Sequence, residues 1–165
     1  MAVNAFLTFF DDADGESTLR GRDKWVEVEG WDWSIDAATS WTTGGGATVG
    51  KPNPGTLNWE HHFDTSSIVI MGYICTGKAF PKVELQMVHP EQGARAGAYF
   101  TMHMEGVFIT KVVNVAAEDG DIVQRVEMVF RRVQIDYRPL GKSGKLATPA
   151  TFAWDIPAGT ASPWA

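Results

Sequence analysis

Apolar and polar residues alternate with a period of two over much of the chain, which predicts β-strands with one buried face. The clearest run is AFPKVELQMVHP, in which Val83, Leu85 and Met87 fall on one side and charged or polar residues on the other. Further strands are expected in NAFLTFF at the N-terminus and in TFAWDI near the C-terminus. The pattern therefore predicts a protein built almost entirely of β-strands.

In two long strands the apolar positions change phase by one residue. The change follows Gly30 in WVEVEGWDWSID and Phe130 in VEMVFRRVQIDYRP. One extra residue moves every later side chain to the opposite face, as in a β-bulge or a barrel corner. Strands of this kind bend from one sheet into another. We therefore expect a single domain over residues 1–165 that is all-β with one short helix, a compact two-sheet β-barrel.

The helix is predicted in FDTSSIVIMGYICTGK. Asp64 or Thr65 can accept hydrogen bonds from its first free N–H groups, and Gly77 suits the left-handed position after its end. A helix of about twelve residues is marginal alone, so it must dock on the sheets. The stripe expected to pack on the barrel consists of Ile68, Met71 and Cys75.

The segment TTGGGATVGKPNPGT, residues 42–56, is expected to be a long loop because it holds five glycines and two prolines. Loops longer than about 12–15 residues that lack secondary structure are usually functional or disordered. A loop kept this long in a compact domain predicts a contact outside the domain. The residues expected to make it are Gly44, Gly45, Gly46, Val49, Lys51, Pro52, Asn53 and Pro54.

The strand YFTMHMEGVFITKVVNV has apolar residues on both faces. Such strands are buried on both sides, either inside the domain or against a partner. The face expected to meet a neighbouring molecule consists of Tyr99, Thr101, His103, Glu105, Val107 and Ile109.

Composition narrows the functional classes. The net charge of −6 argues against nucleic-acid binding, which needs clustered Lys and Arg. One cysteine excludes an intrachain disulfide. No apolar run reaches the length of a membrane span, and the N-terminus lacks the features of a signal peptide. We expect a protein that is made in the cytoplasm and does not insert into membranes.

No catalytic, cofactor or metal site is predicted, so the chain is not expected to be an enzyme. His61 and His62 point to opposite faces of a strand and cannot bind one metal ion together. His103 and Glu105 share a face, but no third group is placed beside them by sequence, which favours a polar surface. The seven tryptophans leave a sugar-stacking surface open as an alternative.

Three blocks of the sequence resemble the Hcp (haemolysin-coregulated protein) family, the tube protein of type VI secretion systems. They are GESTLRGRDKWVEVEGWDWSI, FDTSSIVIMGYICTGKAFPKVEL, and VEMVFRRVQIDYRP with the later FAWDI. They occur in the family's order and spacing, and the resemblance covers roughly residues 3–156.

This resemblance implies a barrel of two sheets with one flanking helix that assembles head to tail into hexameric rings, which stack into a tube. It also implies secretion through the type VI system. The implied partners are a VgrG-type spike protein, the contractile sheath and effector proteins. In this scheme loop 42–56 reaches the next ring, and the face from Tyr99 to Ile109 meets a lateral neighbour. A carbohydrate-binding β-sandwich module and a phage-like tail tube subunit remain as alternatives.

Overall fold

The computed structural model describes residues 5–42, 44–89 and 97–162, which form twelve strands and one helix. The strands are β1 Ala5–Thr8, β2 Val26–Val28, β3 Gly30–Asp32, β4 Ile35–Thr42, β5 Gly46–Pro54, β6 Leu57–His62, β7 Ala79–Val88, β8 Ala98–Ala116, β9 Ile122–Val129, β10 Arg132–Tyr137, β11 Ala150–Asp155 and β12 Thr160–Ser162. The helix, α1, is Thr65–Thr76 and lies between β6 and β7. The predicted class, all-β with one short helix, is confirmed over this part of the chain.

Ten strands form one strongly bent sheet around the core. Its main path is β12-β11-β10-β8-β7-β1-β2, and β9 and β6 extend it from β8 to β3. The 19-residue strand β8 joins the two parts, because its first half pairs with β10 and its second half with β9. β2 and β6 do not pair in the described residues, so the chain itself bridges these strands where β2 passes into β3. The sheet thus wraps around the core without closing into a complete hydrogen-bonded barrel.

Both predicted phase changes coincide with a change of pairing partner. Gly30 begins β3, and here the chain leaves β1 and pairs with β6. Phe130 is buried and follows β9; the exposed pair Arg131 and Arg132 comes next, and Val133 is buried again. The slip therefore marks the corner at which one long strand changes from pairing beside β6 to pairing beside β11.

β7 and β8 bend on the same line. In β7 the buried side changes from Phe80 to Val83, with Pro81 and Lys82 exposed between them. In β8 it changes from Met104 to Val107 across Gly106, whose φ of 61° lies in the left-handed region that glycine tolerates. Neighbouring strands bend together because their register is continuous through this corner.

The core fills the space inside the bent sheet. Its fully buried side chains come mainly from β1, β2, β6, β7, β8 and β9 and include Leu7, Phe9, Val26, Leu57, Phe80, Leu85, Met102, Met104, Val126 and Met128. Phe9 lies at the centre, with its ring centroid 4.3 Å from that of Phe80 and 6.2 Å from that of Trp59. Burial of these large apolar groups is the main source of stability.

The helix ends as the sequence predicts. The Asp64 side chain accepts from the backbone N–H groups of Ser66 and Ser67, and the Ser67 hydroxyl accepts from the Asp64 N–H. Gly77 follows the helix with a φ of 66° and donates to the Tyr73 carbonyl. These contacts satisfy backbone groups that a helix end otherwise leaves unpaired.

The predicted packing face of α1 is wrong. Ile68 is 60% exposed, Cys75 is exposed and Met71 is only half-buried. The residues that meet the core are instead Ser66, Ser67, Val69, Ile70, Tyr73 and Ile74. The helix is apolar on nearly every side, so spacing alone did not identify the buried stripe. Ser66 and Ser67, at the capped N-terminal end, are fully buried, and this fixes which side of the helix faces the core.

The predicted loop 42–56 is also not a loop. β4 and β5 pair antiparallel over the length of both strands, from Ile35 opposite Pro54 to Thr42 opposite Gly46. They form a two-stranded sheet separate from the large one. β5 was not recognised as a strand because its glycines and prolines do not show the alternation of apolar and polar residues that predicts one. We call the segment Ile35–Pro54 the hairpin.

Candidate assembly surfaces

The outer wall formed by β7, β8 and β10 carries a polar network centred on His103. Its Nδ1 lies 3.2 Å from Oε2 of Glu84 on β7, and its Nε2 lies 3.4 Å from Oδ2 of Asp136 on β10. His103 is directly opposite Glu84 and Gln134 in the strand register, which brings these groups together. The imidazole thus spans two carboxylates across three strands.

These contacts shift the protonation of both partners. The hydrogen bond to Glu84 raises the pKa of His103 against the effect of burial, and the charges of Glu84 and Asp136 raise it further. Burial by itself would raise the pKa of Glu84, but hydrogen bonds from His103 and Gln86 and the charges of His103 and Arg22 lower it. The pair favours a protonated histidine beside an ionised carboxylate.

The network continues to both sides. Arg22 donates from Nε to Oε1 of Gln86 at 3.1 Å, and the Gln86 amide in turn donates to Glu84. On the far side Thr151 donates its hydroxyl to Oδ1 of Asp136 at 2.6 Å. Polar groups on this wall therefore bind one another within a single chain.

The predicted interface on β8 divides at Gly106. Tyr99, Thr101 and His103 are half-buried on the outer face, and Glu105 is exposed. Val107 and Ile109 are buried in the core, at 0% and 7% exposure. The prediction is wrong for these two residues because the bend at Gly106 moves the side chains that follow it to the opposite face of the strand. The first four remain candidates for a contact between molecules.

The hairpin offers a second surface of different character. Trp41 is 82% exposed, Val49 69% and Ile35 45%. Lys51, Pro52 and Asn53 of the predicted contact set are exposed on β5, and Gly44 and Gly45 form the turn that precedes it. Trp41 and Ile35 were not among the predicted contact residues. The signal was available, since both are large apolar residues next to a run that cannot build a core.

The hairpin is joined to the sheet by a fixed base. Trp33 donates its indole N–H to the Gly55 carbonyl at 3.1 Å, and the Gly55 N–H donates to the Ser34 carbonyl at 2.8 Å. A side chain at position 55 would lie 2.7 Å from the Ser34 hydroxyl, which explains the glycine. These contacts fix the base of the hairpin to the large sheet.

Within residues 5–42, 44–89 and 97–162, no three His, Cys, Asp or Glu side chains are grouped so that they could hold a metal ion. The same residues include no helix long and apolar enough to cross a bilayer.

Four of the six tryptophans in the described residues lie in the core or pack against it. Trp31 stacks on Phe100 with ring centroids 5.3 Å apart, and Trp33 lies 5.5 Å from Phe130. Trp59 and Trp154 are buried. The fold thus defines a class of protein: a β-barrel-like domain with an exposed apolar hairpin.

Comparison with known proteins agrees with this class. Three of the similar solved structures illustrate a match over nearly the whole chain. "Structure of a type six secretion system protein" has a TM-score of 0.87 at 22% identity and covers 98% of this chain and 100% of that chain. Hcp1 from Salmonella typhimurium has a TM-score of 0.77 at 25% identity with the same coverage. A type VI secretion system effector from Yersinia pestis has a TM-score of 0.73 at 18% identity and covers 93% and 100%.

The family model "Type VI secretion system effector, Hcp" matches residues 6–137. Comparison with curated protein sequences gave no match. Since the family model covers well over half of the chain, the protein belongs to the Hcp family of the type VI secretion system. It is a subunit of the type VI secretion tube, as the resemblance in its sequence predicted.

Proposed function

We propose that six copies of this chain form a ring, and that the rings stack head to tail into the tube. Sheath contraction then expels the tube, whose lumen carries or shields effector proteins. A VgrG-type spike protein caps the tube, and the chain leaves its cytoplasmic site of synthesis with it. In this role the protein transports other proteins and catalyses no reaction.

The observation that carries the proposal is the contrast between the hairpin and the folded body. On the body, the polar side chains around His103 are paired with one another, whereas the hairpin exposes Trp41 and Val49 on a sheet of only two strands. Two-stranded sheets are marginally stable in water by themselves. A second molecule that covers the hairpin supplies the missing burial.

A shortened hairpin tests the stacking role. Replacing residues 38–51 with a short Gly/Ser turn keeps the pairs Ile35–Pro54 and Ala37–Pro52 at the base. Because loop closure depends only weakly on length, the subunit should still fold. We expect single rings to remain and stacked tubes and secretion to be lost, as seen by electron microscopy, sedimentation and a secretion assay.

The contrary results are distinct. Loss of the ring itself assigns the hairpin to the contacts within a ring. Unchanged tubes deny the hairpin any role in assembly. A parent protein that stays monomeric at micromolar concentration contradicts ring formation as a whole.

A further inference from the structure

The outward side of α1 is an apolar surface without charge. None of its twelve residues is Asp, Glu, Lys, Arg or His. Ile68 and Cys75 lie on the side away from the core, and Met71 lies at the edge of that side, where its Sδ accepts from Nδ2 of Asn114 at 3.4 Å. Ile122, whose carbonyl accepts from the Phe63 N–H at 2.8 Å just before the helix, is also 41% exposed.

Such a helix is unusual at a free surface. Helices on the outside of proteins normally carry charged residues on the side that faces water, and a helix that is apolar all round is normally buried. Charged residues make up 21% of this chain, so their absence from α1 is not a matter of composition. The exposed side of α1 therefore fits a surface that another molecule covers.

The hairpin has the matching character. Its twenty residues include only two charged ones, Asp36 and Lys51, and these have opposite signs. Its large exposed groups are Trp41 and Val49. The hairpin and α1 are thus two exposed surfaces on the same chain that are both apolar and nearly free of charge. Contact between them buries few charged groups, and the burial of charge would be the main cost of covering a typical protein surface.

The geometry points to the outer side of α1 as the surface that receives the hairpin of a second copy, and we propose this contact. Trp41 and Val49 of one molecule cover Ile68 and Met71 of the next. Each copy gives a hairpin and receives one through two different surfaces, so the contact is heterologous and propagates from copy to copy. The inference rests on the proposed function, because it specifies which surface takes part in assembly of the tube.

Cys75 provides a direct test, since it is the one cysteine of the chain and lies exposed on α1. Single cysteines are introduced at Ala47, Thr48, Val49 and Gly50, and assembled protein is oxidised mildly. A disulfide needs Cα atoms within about 7 Å, so only a true contact gives efficient linkage. We expect at least one position to yield a ladder of linked chains on a non-reducing gel.

Matched controls distinguish a disulfide formed at a specific contact from one formed by random collision of chains. Lys142→Cys places an equally exposed thiol in a turn far along the sequence and should give no ladder beyond that of the parent. Adding Cys75→Ser to the best hairpin variant should abolish its ladder. An independent variant, Ile68→Asp, should lose stacking and keep its melting temperature, whereas Ile68→Leu should stack as the parent does.

The outcomes distinguish this inference from the function on which it rests. Tubes that form normally without any ladder, and with Ile68→Asp still stacking, overturn the α1 contact and leave the tube function intact. A parent that forms no rings at all contradicts the proposed function first. A ladder that depends on Cys75, together with loss of stacking in Ile68→Asp, establishes the contact.

Discussion

The outer wall around His103 and the hairpin face solvent in the same chain, but they treat their exposed groups differently. On the wall, Glu84 and Asp136 both bind His103, and further side chains satisfy what remains. On the hairpin, Trp41 and Val49 have large apolar surfaces that extend from the folded body.

This contrast indicates that the hairpin, and not the wall, gains stability when molecules assemble. Polar networks closed within one chain gain little from a neighbour, because their groups are already paired and their exposed ion pairs are weak. Exposed apolar groups gain burial only when a second molecule arrives. Exposure alone therefore does not identify a surface that binds another molecule. Whether each exposed group already has a partner within its own chain is a better criterion.

Two tryptophans sharpen this contrast most strongly. Trp59 is 3% exposed in the core and Trp41 is 82% exposed on the hairpin. Trp59→Ala should lower the free energy of unfolding by about 3–5 kcal/mol because it leaves a cavity. Trp41→Ala should leave the unfolding of the single subunit almost unchanged and weaken stacking. Chemical denaturation and sedimentation measure the two effects, and a large loss of subunit stability in Trp41→Ala would contradict the comparison.

Two isoleucines of α1 make the same comparison within one helix. Ile70 is 0% exposed and Ile68 is 60% exposed. Ile70→Ala should cost about 2–5 kcal/mol of unfolding free energy. Ile68→Ala removes little buried surface and should change stability by less than about 0.5 kcal/mol. Equal losses in denaturation experiments would show that α1 sits on the sheet in another rotation.

The corner of the sheet should respond more moderately. Gly106 has a φ of 61°, and a Cβ at this position would lie 3.1 Å from Cδ of Arg131, the flexible part of a side chain. Gly106→Ala should therefore cost about 1–2 kcal/mol, mainly from the left-handed backbone. Gly72→Ala is the control, since position 72 is helical with open space around it, and it should be neutral or stabilising. A neutral Gly106→Ala would mean that the corner is not constrained.

The smallest effect concerns pH. The pKa of His103 is raised on folding, so its stabilising contribution is present below the unfolded value of about 6.5 and is lost as pH rises through the folded value. The pKa of Glu84 is lowered, so its contribution is present above the unfolded value of about 4.3 and is lost as pH falls through the folded one. The parent should therefore lose more stability than His103→Gln as the pH rises above about 6.5.

The measurement is the difference between the two proteins in thermal unfolding, because His62 also titrates. Burial lowers the pKa of His62, but its hydrogen bond to Asp121 and the charges of Glu29 and Asp121 together raise it overall. This contribution is the same in parent and variant and cancels. Identical pH profiles for the two proteins would show that the His103 network does not contribute to folding.

Sequence patterns correctly predicted those parts of the fold in which apolar residues lie on one face only or in which a single residue has a special role. The strand β7, the caps Asp64 and Gly77, and the bends after Gly30 and Phe130 all follow from alternation or from the special geometry of single residues. Each has one physical cause that acts locally.

The errors arose where the pattern was the same on every side. α1 is apolar all round, and β8 has the consecutive apolar residues Val107, Phe108 and Ile109 just after its bend, so neither showed which face is buried. Glycine and proline in β5 erased the alternation of a true strand. The partners of His103 could not be predicted either, because the register between strands fixes them.

The central claim is that this subunit completes its surface by binding further copies of itself. The most direct measurement is the mass of the purified parent in solution, by native mass spectrometry or mass photometry across a concentration series. The account predicts a species with the mass of six 18.1 kDa chains, and multiples of it at higher concentration. A single species of one 18.1 kDa chain that does not change on concentration would contradict it.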